Sequence, residues 1–180
     1  MIADAVVDSP FGALFISASP RGLTRLDFAE GVRALGPQAE SAEPTPAIEG
    51  GELLAAACSQ IEEYLAGRRR AFDLPLDVTG TPFQRRVWQA IAAVPFGTTA
   101  TYAAIAGAIG APNAYRAVGT ACGANPISIV VPCHRIVGSD RGLHGFGGGL
   151  SAKAWLLAHE GALDDGMRPR PTPSTAAARV

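Results

Sequence analysis

Cysteine is scarce: there are three, Cys58, Cys122 and Cys133, an odd number with no CxxC pair. That pattern supports neither a disulfide framework nor a structural zinc site, and unpaired thiols fit a reducing compartment. Charge is thin too, at 17% of residues, yet no apolar run approaches the roughly 18 residues of a membrane span. The opening MIADAVVDSP has neither the basic flank nor the apolar stretch of a targeting segment, so the expectation is a soluble, cytoplasmic, untargeted protein. Disorder and fibrous structure are excluded by apolar residues, which make up 48% of the 180 and suffice for a core.

The net charge of −1 argues, as an average, against a nucleic-acid partner. The average conceals a split. Residues 1–79 carry six Arg against twelve acids, a net −6, whereas residues 80–162 carry Arg85, Arg86, Arg116, Arg135, Arg141 and Lys153 against Asp140 and Glu160, a net +4. The second half is therefore where an anionic partner belongs.

Along the chain, IADAVVD, ALFISA and LTRLDF read as short strands joined by the turns SPFG and SPRG. Residues 36–51 lack periodicity and read as a surface loop. Leu53, Leu54, Ala57, Ile61, Tyr64 and Leu65 fall at helical spacing, ending at Gly67, and the Arg68–Arg70 triplet beyond reads as a solvated helix end rather than a DNA patch. FDLPLDV, with Pro75 inside it, is an edge strand or linker. A boundary near Gly80 separates an N-terminal unit, 1–79, from a second unit, 80–162. Thr81-Pro82-Phe83-Gln84 forms a capping box for a helix to about Val94, Thr101 caps a second helix and Asn113 a third. The last two read as a helix-turn-helix or as a generic pair of packed helices. From Pro126 the sequence turns extended (PISIVVPCHRIV), Ser151 caps a last helix, and residues 163–180 read as a disordered tail. The fold class is α+β: a small antiparallel sheet with one helix, then a mostly helical, winged-helix-like unit.

Cys58 and Cys122 fall on helices and read as small buried hydrophobes. Cys133 follows an apolar run and precedes His134 and Arg135, two groups able to lower its pKa. It reads either as a reactive thiol or as a structural cysteine beside a surface histidine. In an extended chain neighbours project oppositely, so His134 would need a water or a bend to reach the sulfur. Glu160, an acid in an otherwise apolar helix, is either the group that orients the imidazole or an exposed carboxylate.

The run Asn125–Gly161, with its Pro-Cys-His-Arg, resembles the active-site region of the O6-alkylguanine-DNA alkyltransferases, the methylated-DNA–protein-cysteine methyltransferases, and the similarity extends upstream to about residue 80. The resemblance implies that Cys133 takes the alkyl group from O6 of a flipped guanine once and keeps it, that His134 is the base acting through a water, and that Glu160 orients it. Asn125 would brace the turn presenting the cysteine. Tyr102 would contact the flipped base and protonate the leaving guanine, and Arg116 would enter the duplex in its place. Ala117, Thr120 and Gly123 would line the DNA face of the recognition helix, whose small residues suit a shallow minor groove and low sequence specificity. Cys122, Ile136, Phe146, Gly147 and Gly148 would form the substrate pocket, with Ser128 and His144 at its border. No cofactor and no metal are implied, since the N-terminal half has one Cys and no His where metal-bound relatives have ligands. The expected partner is double-stranded DNA, met by a monomer.

Two features depart from the family pattern: Gly123 stands where a polar or basic residue is common, and Gly147 where several members have a hydroxyl. Two other classes fit the sequence less well. DNA-binding alkyltransferase-like proteins lack the acceptor cysteine, which Cys133 argues against, and a cysteine hydrolase lacks an evident oxyanion-hole motif here.

Overall fold

The computed structural model describes residues 2–28, 50–164 and 168. Three strands, β1 (Ala3–Val7), β2 (Leu14–Ser19) and β3 (Gly22–Phe28), form an antiparallel sheet in sequence order. Alternation sends Ala3, Ala5, Val7, Leu14, Ile16 and Ala18 to one buried face. Leu23 and Leu26 are an odd three residues apart, yet both are buried. A register shift reconciles them: Ser17 faces Arg25 while Ala18 faces Leu23, so Thr24 is the extra residue, its hydroxyl donating to the Ser17 carbonyl at 3.0 Å.

Helix α1 (Gly51–Leu65) covers that face with Leu54, Ala57, Cys58, Ile61 and Tyr64, and the left-handed Gly67 at φ 74° follows its end. The loop expected over 36–51 lies outside the described residues except for Gly50 and Gly51, which open this helix. FDLPLDV is extended and its backbone pairs with the sheet at Leu23, whose amide donates to the Pro75 carbonyl and whose carbonyl accepts from the Asp77 amide. Gly22 lets these backbones meet. A Cβ on it would lie 2.7 Å from both Asp77 N and Pro75 O, so Gly22→Ala is expected to cost about 1–3 kcal/mol, read as a lower midpoint in a urea melt; an unchanged midpoint would refute the close approach.

The second half is helical. Thr81 and Gln84 exchange both bonds of the capping box at the start of α2 (Pro82–Ala92), and the Thr101 hydroxyl accepts from the Ala104 amide at the start of α3 (Tyr102–Ala108). The linker 109–114 then leads to α4 (Tyr115–Gly123). The cap expected at Asn113 is not formed: Ala114 holds that position without a side-chain bond, because the Ala114 amide closes a turn onto Ala111 that leaves Asn113 inside it. Trp88 Nε1 donates to the Ala121 carbonyl at 2.8 Å and locks α2 to α4, while Val87, Ile91, Ile105, Val118 and Ala121 fill the space between the three helices. Helix α5 (Gly149–His159) begins two residues ahead of the expected cap, Ser151, which lies inside its first turn.

The expected extended run from Pro126 is the largest departure. The Leu26 amide donates to the Pro126 carbonyl and the Ser128 amide to the Leu26 carbonyl, so the segment touches the β3 edge. It then turns sharply at Ile129, a non-glycine residue at φ 72°, and enters a 3₁₀ turn at Cys133–Arg135. Only Ile136–Val137 (β5) is strand, parallel to β4 (Ala100–Thr101). The positive φ at Ile129 is a strained conformation for a β-branched residue, and burial of its side chain among the core residues of the N-terminal sheet holds it there. Ala152 and Leu156 of α5 enter the same core, so the sheet half and the helical half share it. Most of the expected tail, 163–180, lies outside the described residues, but Leu163 is buried against Leu157 and Ala162.

Candidate active site

Cys133 heads the 3₁₀ turn and is buried. Asn125 fixes it: Nδ2 donates to the Val131 carbonyl at 2.8 Å and reaches Cys133 Sγ at 3.3 Å, while Oδ1 accepts from the Ile127 amide at 3.1 Å. One amide side chain therefore braces both arms of the turn around Ile129. Burial raises the thiol pKa, opposed by hydrogen bonds from Asn125 and Ser128 and by the Lys153 charge. His134 and Arg135, the two groups able to lower that pKa, direct Nε2 and the guanidinium at Glu160 instead.

Glu160 closes α5, is buried, and accepts from five donors. Oε1 takes Tyr64 Oη at 2.7 Å, His134 Nε2 at 2.8 Å and Arg135 Nη2 at 2.9 Å; Oε2 takes Arg135 Nε at 2.8 Å and the Gly97 amide at 3.3 Å. Burial works to raise its pKa, but His134 and then Arg135 hold it well below the ordinary carboxylate range. Of the two readings open for Glu160, the exposed one is excluded. Arg135 also donates to the Val94 carbonyl, so an ion pair with satisfied hydrogen bonds sits in the interior.

His134 is fully buried, and burial followed by the Arg135 and Lys153 charges outweighs the pull of Glu160, so its pKa is lowered and it rests neutral. A carboxylate can only accept, so the proton of the neutral ring is on Nε2. Nδ1 keeps its lone pair, buried and without a protein partner among the described residues. It is a base by construction.

Tyr102 opens α3, half-buried, beside the backbone of Gly119 on α4, with its pKa pushed up to about 12 by burial and by the nearness of Cys122 and Cys133. Cys122 faces inward from α4 and is likewise raised to about 12, burial first and Cys133 second. Arg116, Ala117, Thr120 and Gly123 are exposed on the outer side of α4, and the Arg116 guanidinium lies 5.8 Å from the Tyr115 ring centroid. The pocket residues divide. Phe146 sits 6.3 Å from the His134 ring centroid and 5.1 Å from Phe28, and Gly147 is open. Gly148 instead abuts the Phe28 ring, where a Cβ would approach to 2.6 Å, and Ile136 is fully buried in the helical core. Ser128 is buried next to Cys133, whereas His144 is exposed and pairs with Asp140.

Three residues escaped the sequence reading. Tyr64 lies 96 positions before its partner Glu160. Arg135 registered only as a neighbour of Cys133. Lys153 is fully buried, donates to the Ile136 and His144 carbonyls at 2.7 Å each, and is pulled down to about 8, chiefly by burial. Its one available signal was a lone lysine among fourteen arginines, in an apolar helix. Among the described residues no cluster of three or more His, Cys, Asp or Glu could hold a metal ion, and no helix is long and apolar enough to cross a membrane.

A shielded thiol, an imidazole with an unpartnered ring nitrogen and an exposed helix pair fit a cysteine-dependent transferase acting on a large partner. Two family models match: the 6-O-methylguanine DNA methyltransferase ribonuclease-like domain over residues 2–78, and the DNA-binding domain of the same family over residues 82–162. Methylated-DNA–protein-cysteine methyltransferases of Methanosarcina barkeri and Mycolicibacterium paratuberculosis are 41% and 44% identical, over 86% and 89% of this chain and 94% and 93% of their own. The crystal structure of Mycobacterium tuberculosis OGT in complex with DNA aligns with a TM-score of 0.75 at 38% identity, covering 92% of this chain and 94% of that one. The chain belongs to the methylated-DNA–protein-cysteine methyltransferase family.

Proposed function

We propose that this protein repairs DNA by moving a methyl or larger alkyl group from O6 of guanine to its own Cys133, once and irreversibly. The observation that carries the reading is the geometry of His134, whose Nε2 is bonded to Glu160 Oε1 at 2.8 Å while its Nδ1 is buried in the Cys133 turn without a protein partner among the described residues. The thiol proton passes through a water to Nδ1. The sulfur then attacks the alkyl carbon, the carbon–O6 bond breaks with its electron pair on oxygen, and the guanine takes a proton from Tyr102, whose raised pKa keeps it a donor. The thioether has no exit, so one protein molecule serves one lesion.

O6 lies inside the base stack, so the nucleotide must be flipped, at a cost of a few kcal/mol. Arg116 fills the vacated place and Ala117, Thr120 and Gly123 let α4 approach the minor groove. Of the six basic residues of the second half, Arg135 and Lys153 are buried, leaving Arg85, Arg86, Arg116 and Arg141 exposed. These few exposed cations support weak, salt-sensitive, sequence-tolerant binding of duplex DNA by a monomer. The acceptor, the base and the DNA-facing helices lie in the unit 80–162, packed on the unit 1–79, and the free state of all three cysteines suits a reducing cytoplasm. Incubation with a duplex carrying labelled O6-methylguanine should end at one label per protein; continued turnover overturns the proposal. Arg116→Ala should react normally with the free modified base but at least about tenfold more slowly on duplex DNA, measured as single-turnover rates. Equal losses on both substrates would remove Arg116 from the insertion role.

A further inference from the structure

Tyr64 belongs to the sheet half, yet its hydroxyl ends on the carboxylate oxygen that holds the catalytic-site histidine. It is fully buried and donates to Glu160 Oε1 at 2.7 Å, the same atom that accepts His134 Nε2 at 2.8 Å. The residue is itself fixed from several directions. Phe72, Phe96 and His159 surround its ring at centroid distances of 5.3, 6.3 and 5.3 Å, and its carbonyl accepts from His159 Nε2 at 2.7 Å. A ring that only filled space would not require its hydroxyl to share the oxygen on which His134 depends.

We infer that Tyr64 is a positioning residue that tunes the basicity of His134 through Glu160, making the N-terminal half a working part of the reaction centre. Tyr64, His134 and Arg135 Nη2 all draw on the lone-pair density of that one oxygen. The phenol therefore weakens the hold of Glu160 on the His134 N–H and lowers the preference of the imidazole for its protonated form. His134 stays neutral, and its Nδ1 stays available, to a lower pH than Glu160 and Arg135 alone would set. The charged and titratable groups facing this centre are Arg135 of the 3₁₀ turn, Lys153 and His159 of α5, Tyr64 of α1 and the neighbouring Cys133, with the Gly97 amide the remaining donor to Glu160. Of these, Tyr64 is the one ionisable group from the sheet half that touches Glu160.

The test is Tyr64→Phe, which keeps the ring and removes one oxygen. The His134 titration, followed by nitrogen-detected NMR on the full chain, should move up by about one pH unit. The low-pH limb of the alkyl-transfer rate should move with it, while the rate above that limb returns near the unsubstituted level. Placing 3-fluorotyrosine at position 64, a stronger donor, should move the same titration down. A titration that stays put in both proteins, or moves in the same direction in both, overturns the inference, even if Tyr64→Phe lowers the melting temperature. The inference rests on the transfer reading only for the rate limb. The NMR titration needs no transfer, so a failed assay with a shifted histidine refutes the function and keeps the coupling, and the reverse result refutes the coupling alone.

Discussion

Cys133→Ala is expected to abolish alkyl transfer while leaving the fold intact. All three thiols are raised by burial, Cys58 to about 11 and Cys122 to about 12, so the sulfur expected to react is the one with a base at hand: His134 follows Cys133 in the same 3₁₀ turn, whereas Cys58 lies in the sheet core. The brace survives the change: Asn125 retains the Val131 carbonyl and the Ile127 amide after the 3.3 Å contact with sulfur is gone. The alanine protein should therefore melt close to the unsubstituted one, bind duplex DNA with similar affinity and carry no label. Tryptic mapping of the reacted parent should put the alkyl group on the peptide containing Cys133. Label found on Cys58 or Cys122, or transfer persisting in the alanine protein, would falsify the assignment of the acceptor.

Glu160→Gln is expected to have the largest effect on stability. The substitution keeps the shape but removes the charge opposite Arg135, whose guanidinium is then buried without a counter-ion; breaking such a pair costs about 3–5 kcal/mol. It also gives His134 an amide in place of a carboxylate, so the Nε2–H tautomer is no longer enforced, and the transfer rate should fall on the order of 100-fold. Chemical denaturation and single-turnover rates measure the two losses separately. Acid sensitivity follows from the same residues. The carboxyl pKa is depressed in the fold, so the stability it contributes is present above the unfolded carboxylate value and is lost as pH falls toward the depressed one. His134, buried and neutral, adds to the loss, because the unfolded chain binds a proton below the ordinary imidazole value of 6.5 that the folded chain refuses. The parent should weaken steadily below that pH, and Glu160→Gln should show a shallower slope below about pH 4.5, where the carboxyl contribution is missing. A midpoint within experimental error of the parent would mean that the buried pair does not stabilise the fold.

Local chemistry explains which parts of the fold were legible. The three strands announce themselves by alternation and turn residues, and the caps at Thr81 and Thr101 by hydroxyl, proline and glutamine at fixed offsets, because each partner lies within three residues. Asn113 and Ser151 show the limit: a cap-type side chain is necessary but its backbone must also be placed to receive it, and here a turn and an earlier helix start took precedence. The run from Pro126 failed for a different reason. Its β-branched residues favour strand, but contact with β3 and burial of Ile129 in the sheet core bend it back so that Cys133 leads a 3₁₀ turn.

The site divides along the same line. By itself the sequence determined the acidic and basic halves, the strand and helix sequence, and the Pro-Cys-His-Arg context that resembles one family, all of which depend on residues close in the chain. Spacing alone left a reactive Cys133 open against a structural one, and a bonded Glu160 against an exposed one, and the resemblance favoured the reactive and bonded readings without showing the contacts behind them. Those choices depend on partners 25 to 96 positions apart, Arg135, His134 and Tyr64 for Glu160. Only the tertiary structure brings them within hydrogen-bonding distance. It also removes them from water, and that second effect sets the chemistry: desolvation keeps His134 neutral and Cys133 protonated at rest, while the Glu160–Arg135 pair stays charged because each compensates the other.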